Sequence, residues 1–161
     1  MDSLTFRQLL GCFATGVTVI TTNAGGFLHG MTASAVCSLS LEPPLLLVCV
    51  ERSTHCHPQL HAAGHFGVNV LAAGQRDLSE LFARSQPPER GSLRGARHHP
   101  GPHGVPVLDG ALATIVCRLE TTYPGGDHDI FVGEVLDGSS SEERDEEPLL
   151  YFRSRYRTLS S

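Results

Sequence analysis

Residues 30–44, GMTASAVCSLSLEPP, form the most informative stretch of the chain. Small side chains and hydroxyl groups alternate here with apolar residues, and strand-forming residues flank them. Small side chains let a flat ligand approach the backbone and leave amide N–H groups and hydroxyls to bind its polar edge. The pair Pro43-Pro44 ends the segment and favours an extended exit. The same alternation is also typical of an ordinary half-exposed strand, so both interpretations stay open at this point.

The composition is that of an ordinary globular protein: 161 residues, 40% hydrophobic and 18% charged, enough for one domain over residues 1–161. The net charge is −5, which gives no electrostatic reason to expect nucleic acid or an anionic membrane as a partner. No signal peptide is indicated, and the longest apolar run, residues 45–50, is far shorter than the roughly 20 residues of a membrane span. The five cysteines form no Cys-x-x-Cys motif, so we expect reduced thiols and a cytoplasmic protein.

Short apolar or β-branched runs separated by glycine and proline predict a mostly β protein with short helices. Strands are expected at residues 17–22, 27–41 (bent at Gly30), 45–50, 66–72, 111–122, 130–136 and 149–152. Helices are expected at residues 3–12, 58–63 and 76–84, with Pro58 in the first helical position. Residues 86–104 have no period and are predicted to form a long loop, residues 123–127 a connection, and residues 139–147 a charged turn. This pattern favours an antiparallel barrel over an α/β sheet.

Several motifs occur in an order that resembles one known family. In chain order they are FATGVTV (13–19), GMTAS (30–34), SLSLEPP (38–44), VNVL (68–71), PVLDGALA (106–113), GDHDIFVGEV (126–135) and PLLYF (148–152). Together they resemble the flavin reductase-like, FMN-binding split-barrel family, which includes the small reductases of two-component monooxygenases. The resemblance covers about residues 6–156 and implies a split β-barrel, antiparallel with Greek-key connections.

The resemblance also implies a function: NAD(P)H-dependent reduction of free FMN or FAD, with the reduced flavin supplied to a partner monooxygenase. The hydride passes from nicotinamide C4 to flavin N5, so the protein must stack two flat rings rather than supply a strong acid, base or nucleophile. The chain has neither a P-loop nor a G-x-G-x-x-G fingerprint, which fits this interpretation. A homodimer is expected, because a second subunit can wall the shallow cleft of so small a barrel. The alternative is a flavin-binding protein or an oxidase-like relative of the same fold without flavin reductase activity.

Positions for the flavin follow from the resemblance. Backbone N–H and hydroxyl groups of residues 32–34 border the N5 and O4 edge of the ring, and the end of the strand at residues 45–50 lines the same site. The cofactor-binding residues implied for the ring are Thr32, Ala33, Ser34, Ser40, Cys49 and Val50. Ser53, Thr54 and His55 resemble the phosphate-side loop of the family, and their hydroxyls and exposed N–H groups suit an anion. The alternative for this loop is a plain helix N-cap at Thr54 or beside His55.

His128 is the sharpest single candidate for a catalytic role. The family's Gly-Asp-His segment points at the flavin and nicotinamide, which implies that His128 orients the nicotinamide or binds the pyrimidine edge of the flavin. A turn histidine without a role is the alternative. Phe152, Arg153 and Tyr156 resemble a terminal aromatic segment near the nicotinamide, which implies that Phe152 and Tyr156 bind cofactor. The alternative there is an apolar terminal strand that completes the core.

The histidines offer a competing hypothesis, a metal-binding interaction module. His57, His61 and His65 recur every four residues, a spacing at which imidazoles on a helix can bind zinc or copper. Gly64 and Phe66 nevertheless indicate that the helix ends before a third full turn, and no carboxylate or cysteine cluster lies obviously opposite. We therefore predict no metal in the site.

One departure from the family concerns the loop before the Gly-x-Pro-x-Leu segment. Members commonly carry an aromatic residue there, whereas this chain has Gly91 and Arg97. Since that loop often touches the flavin tail or the partner subunit, the departure bears on flavin preference rather than on the fold.

Overall fold

The computed structural model describes residues 1–142 and 146–159. The α-helices in this part of the chain are α1 (Ser3–Leu10), α2 (Cys56–Ala63) and α3 (Arg76–Phe82), and short 3-10 helices occur at Ala73–Gln75 and Pro102–Gly104. The strands are β1 (Thr15–Gly16), β2 (Thr18–Ala24), β3 (Phe27–Ala33), β4 (Val36–Leu41), β5 (Pro44–Glu51), β6 (His65–Val70), β7 (Glu89–Arg90), β8 (His98–Pro100), β9 (Pro106–Leu108), β10 (Ala113–Gly125), β11 (His128–Ser140), β12 (Leu150–Phe152) and β13 (Arg155–Arg157). The protein is therefore mostly β with short helices, as predicted.

Eight of these strands form one antiparallel sheet in the order β4-β5-β11-β10-β6-β2-β3-β7. β12 joins β1 and β13 in a second sheet, and β8 pairs with β9. Tight hairpins connect neighbouring strands where the sequence supplies the turn residues. At the β2–β3 hairpin, for example, Gly25 and Gly26 both have positive φ and Asn23 accepts the Gly26 N–H at 2.8 Å.

The large sheet curls around an inner core. Residues from distant strands pack together in it, including Ala33 of β3, Val48 of β5 and Phe66 of β6. Leu60 of α2 covers this core, and a second cluster around Phe82 of α3 packs on the other side of β2. Among the described residues no strand pairing joins the β4 edge to the β7 edge, so the sheet stays open.

The signature segment forms two strands rather than the single bent strand expected over residues 27–41. β3 pairs with β2, whereas β4 pairs with β5 at the opposite end of the sheet, so the chain changes partners at Ser34 and Ala35. Gly30 is not the bend, because it pairs regularly with Thr21. A Cβ at Gly30 would lie 2.6 Å from the Phe82 ring, so this glycine makes room for α3 against the sheet.

Other boundaries also differ from the expectation. α2 begins at Cys56, which places Pro58 third in the helix, where its missing N–H has no intrahelical partner to lose. The expected loop at 86–104 contains β7, β8 and a 3-10 turn. Pairing of β10 with β11 continues out to Gly125 and His128, which leaves only two residues of the expected connection. β11 also extends into the expected charged turn, of which residues 143–145 lie outside the described residues.

Gly133 provides a stability test of the inner core. A Cβ at this position of β11 would lie 2.5 Å from the Phe66 ring and 2.8 Å from Cys117 Cβ. We expect Gly133→Ala to lower the free energy of unfolding by about 1–2 kcal/mol, because overpacking forces side chains off their rotamers. Urea unfolding measures this change. Gly74→Ala is the matched control, since a Cβ there meets no atom within 4 Å, and equal midpoints for the two variants would contradict the packing argument.

Candidate functional site

Two adjoining cavities lie beside the point where the chain passes from β3 to β4. Their volumes are about 650 and 580 Å³, within the range of about 300–1,000 Å³ usual for small-molecule sites. The residues that line both are Phe13, Thr15, Ser34, Val36 and Cys37. Because the cavities share these walls, we treat them as one continuous groove, called the main groove below.

The main groove runs along β4 and β5, and its first cavity also reaches core-side residues such as Leu46 and Val68. Partly exposed and buried residues alternate along β5: Leu47 and Cys49 line the second cavity, Val48 and Val50 are buried in the core, and the buried Leu46 borders the first cavity. Phe13, after α1, and Tyr151 of β12 form its side walls. The exposed polar surface of the groove is small beside its apolar surface, so it suits a flat, largely apolar ring.

Ser34 lies at the centre of the site. It lines both cavities of the main groove and also a third cavity of about 160 Å³. Among residues 1–142 and 146–159, no protein group forms a hydrogen bond with the hydroxyl of Ser34 or with that of Ser40, which lines the first cavity. Both hydroxyls, which were expected to bind the cofactor, are therefore available to a ligand.

The third cavity joins Thr32 to Tyr156 through a residue that the sequence did not single out. The Thr32 hydroxyl donates to the Ser79 carbonyl at 2.7 Å, and the Ser79 hydroxyl shares a hydrogen bond of 2.9 Å with the Tyr156 hydroxyl. Ser79 is fully buried on α3, and the guanidinium of Arg76 lies 5.1 Å from the centre of the Tyr156 ring. The hydroxyls of Thr32 and Tyr156 thus already have protein partners.

Among the expected site residues, Ala33, Val50 and Phe152 do not present their side chains to the main groove. Ala33 and Val50 are buried in the inner core, so only their backbone can meet a ligand. On β12 the groove wall is Tyr151, whereas Phe152 packs under the guanidinium of Arg153 at 5.2 Å. Successive side chains of a strand point to opposite faces, so Tyr151 and Phe152 cannot both line the groove.

Cys49 lies on the groove floor as a half-buried thiol. Burial, and to a smaller extent the nearby Cys37, raises the pKa of Cys49, which keeps it protonated at neutral pH. Cys37 is exposed on the same wall, and its thiol contacts the Ser38 carbonyl. The floor is therefore uncharged beneath any bound ring.

His128 is not among the residues that line the cavities. It is the first residue of β11 and pairs with Glu51, and Ile130 pairs with Cys49. Residues two apart on a strand share a face, so the imidazole is on the Cys49 face, about 7 Å further along the strand. The Asp127 carboxylate accepts a hydrogen bond from His128 Nδ1 at 2.7 Å, and this bond lowers the pKa of Asp127.

The expected phosphate-side loop turns back on Glu51. The Ser53 hydroxyl donates to the Glu51 carboxylate at 2.6 Å, and the Thr54 hydroxyl donates to the Glu51 carbonyl at 2.8 Å. His55 is the N-cap residue of α2 and makes no side-chain cap bond, so the alternative of a side-chain N-cap in this loop is wrong, whereas the phosphate-side role stays a prediction. None of the three lines the main groove, and both hydroxyls would have to leave Glu51 to hold a phosphate.

Most residues that line the main groove were not among the site residues expected from the sequence. Phe13, Thr15, Val36, Cys37 and Leu47 all line the main groove. Phe13 and Thr15 lie in the FATGVTV motif, and Val36 and Cys37 lie between the motifs GMTAS and SLSLEPP. The motifs could therefore have indicated these four residues. For Leu47, the only indication in the sequence was its place in the alternation of side chains along a strand. Gly91 and Arg97, where the family commonly has an aromatic residue, line neither cavity of the groove.

Comparison with known proteins decides the family. The sequence model of the flavin reductase-like domain matches residues 10–160. The chain belongs to the flavin reductase-like family. The resemblance drawn from the ordered motifs is thereby confirmed.

Named relatives in this family match nearly the whole chain. The reductase component of 4-hydroxyphenylacetate 3-monooxygenase from Thermus thermophilus is 43% identical over 154 residues, 96% of this chain and 95% of that protein. The FMN reductase (NADH) RutF from Stutzerimonas stutzeri is 41% identical over 157 residues, 97% of this chain and 88% of that protein. A solved structure of the NADH:FAD oxidoreductase SgcE6 from Streptomyces globisporus, in complex with NAD and FAD fragments, matches with a TM-score of 0.89 at 36% identity, covering 97% of this chain and 92% of that one.

Proposed function

We propose that this flavin reductase-like protein oxidises NADH or NADPH, reduces free FMN or FAD, and supplies the reduced flavin to a partner monooxygenase. The observation that carries the proposal is the main groove with the free hydroxyl of Ser34 at its centre. Its shape and apolar floor fit a flat ring, and the names of the relatives support both the flavin and the nicotinamide. Within the described residues, no helix has the length and apolar character needed to cross a membrane.

The residues of the groove fit this role because they bind and orient rather than react. Leu47 and Cys49 give a neutral floor for a ring, and Phe13 and Tyr151 provide apolar surface at its sides. The hydroxyls of Ser34 and Ser40 can bind the polar edge of the flavin. When bound, the two cofactors supply the chemistry, a hydride transfer from the nicotinamide to the flavin.

His128 is assigned to the nicotinamide. Its place on the Cys49 face puts the imidazole beyond the groove floor, where a second ring stacked on the flavin would extend. The Asp127 carboxylate holds Nδ1, which leaves Nε2 to donate or accept a hydrogen bond towards the substrate. In this role His128 positions the ring in the hydride-transfer geometry.

A homodimer is part of the proposal. α1 buries none of its residues, although Leu4, Phe6, Leu9 and Leu10 are apolar, and Phe13 is 73% exposed at the groove. Exposed apolar patches of this kind mark interfaces, and a second copy of the chain would both cover the helix and wall the groove. Sedimentation at the monomer mass would contradict it.

Three finer statements complete the proposal. The curled sheet is the split barrel of the family, residues 1–161 form one domain, and the protein works in the cytoplasm. The shared core of β3 and β5 supports the split barrel, and the family match over residues 10–160 supports a single domain. An experimental structure checks the barrel and domain, and cell fractionation checks the compartment.

The experiment that tests the function mixes the purified protein with NADH or NADPH and either FMN or FAD. Loss of the nicotinamide absorbance at a rate that depends on added flavin is the expected result. A protein that binds flavin but leaves the nicotinamide unchanged would instead be the flavin-binding relative without reductase activity. Use of both nucleotides and both flavins in parallel also measures the cofactor preference.

Flavin retention separates a supplying reductase from an enzyme that keeps its cofactor. Among the described residues, Arg7 is the only charged side chain that lines the main groove, so few charge-assisted bonds can hold a phosphate. We expect micromolar affinity, about −8 kcal/mol, and purification with substoichiometric flavin. The rate should therefore saturate with added free flavin. Stoichiometric flavin that survives gel filtration, without stimulation by added flavin, would favour the oxidase-like relative.

A further inference from the structure

Two histidines and an aspartate converge on the core side of the sheet, away from the main groove. His57 and His61 lie one turn apart on α2, and Asp129 lies on β11. One potential ligand atom from each lies within 4.8 Å of the other two. His57 Nε2 and Asp129 Oδ2 are 2.7 Å apart, and the rings of His57 and His61 are 5.1 Å apart.

The packing of α2 on the sheet creates this arrangement. Both imidazoles lie against the Phe131 ring, His57 with its centre at 5.2 Å and His61 at 4.8 Å. Phe131 is fully buried, and Asp129 precedes it by two residues, so the carboxylate lies on the same face of β11. Asp129 pairs with Val50 and Phe131 with Val48, both on the core side of β5. The cluster is therefore separated by the sheet from the outer face that carries Cys49.

We propose that His57, His61 and Asp129 bind one divalent transition-metal ion of the zinc type. Two imidazoles and one carboxylate are a common ligand set for such ions, with the remaining positions filled by water. His61 is exposed, so an ion can enter from solvent and water can complete its coordination. His57 coordinates through Nε2 once its ring carries the proton on Nδ1, and the ion then takes the place of the proton shared with Asp129.

The surroundings of the carboxylate suit this role. Arg52 donates to Asp129 Oδ1, with Nη2 at 2.6 Å and Nε at 2.9 Å, which leaves Oδ2 for the ion. A metal-bound carboxylate is commonly held by such an outer partner. Tetrahedral zinc, with bonds of about 2.0–2.1 Å, needs ligand atoms about 3.4 Å apart. Small side-chain rotations of His57 and of the exposed His61 reach that spacing.

His65, the third histidine of the sequence pattern, does not belong to the cluster. It begins β6 after the helix has ended, and its ring stacks on His103 at 4.2 Å. The ligand that the sequence pattern lacked is instead Asp129, which lies 72 residues from His57. The proposed site is thus neither the three-histidine site considered from the sequence nor a part of the flavin site.

Cobalt titration tests the proposal, because Co²⁺ replaces Zn²⁺ and absorbs visible light. The wild-type protein should bind one equivalent with a d–d band of tetrahedral or five-coordinate cobalt, and Zn²⁺ should displace it. His61→Ala should weaken cobalt binding by more than the roughly 10- to 100-fold that loss of an outer partner costs. The exposed position of His61 keeps this variant folded, which circular dichroism checks.

Two further variants complete the test. Asp129→Asn should lose the band as well, whereas His99→Ala, which removes an exposed histidine outside the cluster, should keep it. Absence of a one-equivalent band in the wild type would overturn the proposal. Wild-type affinity in His61→Ala, or loss of the band in His99→Ala, would also overturn it, because other histidines would then carry the metal.

Discussion

Replacement of His128 by alanine is expected to lower the turnover of NADH oxidation about 100-fold, the effect of a misplaced reacting ring. The flavin affinity should stay nearly unchanged, because the imidazole lies beyond the groove floor rather than in it. An interaction made mainly in the hydride-transfer geometry affects turnover more than ground-state binding. Steady-state kinetics with saturating flavin, together with a fluorescence titration of flavin, measures the two quantities separately.

Asp127→Asn refines this test, since the carboxylate holds His128 Nδ1 at 2.7 Å. We expect an intermediate loss of turnover, because the imidazole remains but loses the partner that orients it. His98→Ala, which removes a histidine from the β8–β9 sheet, is the control and should leave the kinetics unchanged. Wild-type turnover in His128→Ala would show that His128 is a turn residue without a role in positioning the nicotinamide.

Replacement of Ser34 by leucine should weaken flavin binding by about 1–3 kcal/mol, roughly 5- to 150-fold in Kd. Ser34 lines both cavities of the main groove, so a large side chain fills the space for the ring and removes a free hydroxyl. Quenching of flavin fluorescence measures the affinity. An unchanged titration would contradict the placement of the ring.

Ser34→Ala separates the two causes. It removes the hydroxyl without adding bulk, so it should cost only the hydrogen bond, about 0.5–1.5 kcal/mol. Equal losses in the alanine and leucine variants would show that the hydroxyl, rather than the space, holds the flavin. Ser53→Ala tests the loop beside Glu51 with the same flavin titration. In the structure the Ser53 hydroxyl donates to the Glu51 carboxylate, and this variant removes that hydroxyl.

Several strands and the β2–β3 hairpin could be predicted from short-range patterns. The β-branched run of β2 and the Gly25-Gly26 turn after it are local features, because backbone preference and turn geometry depend on neighbouring residues. The family likewise followed from the order of short motifs along the chain. Ser34, which the GMTAS motif singled out, lines the main groove.

The rest depended on which strands and helices meet. The partner change at Ser34 and Ala35 exists because β3 and β4 pair at opposite ends of the sheet, which no local pattern encodes. Burial of Val50, and the choice of Tyr151 over Phe152 as a groove wall, follow from which face of each strand meets the core.

Packing between distant segments also brings together two polar clusters, one around Ser79 and one around Asp129. Ser79 reaches Thr32 and Tyr156 only because α3 packs on β3. Asp129 meets His57 only because α2 packs on the core side of β11. Local sequence therefore determines several strands and turns and indicates the family. The contacts that build the sites arise from packing between segments distant in sequence. Burial, and not spacing along the chain, selects which side chains become partners.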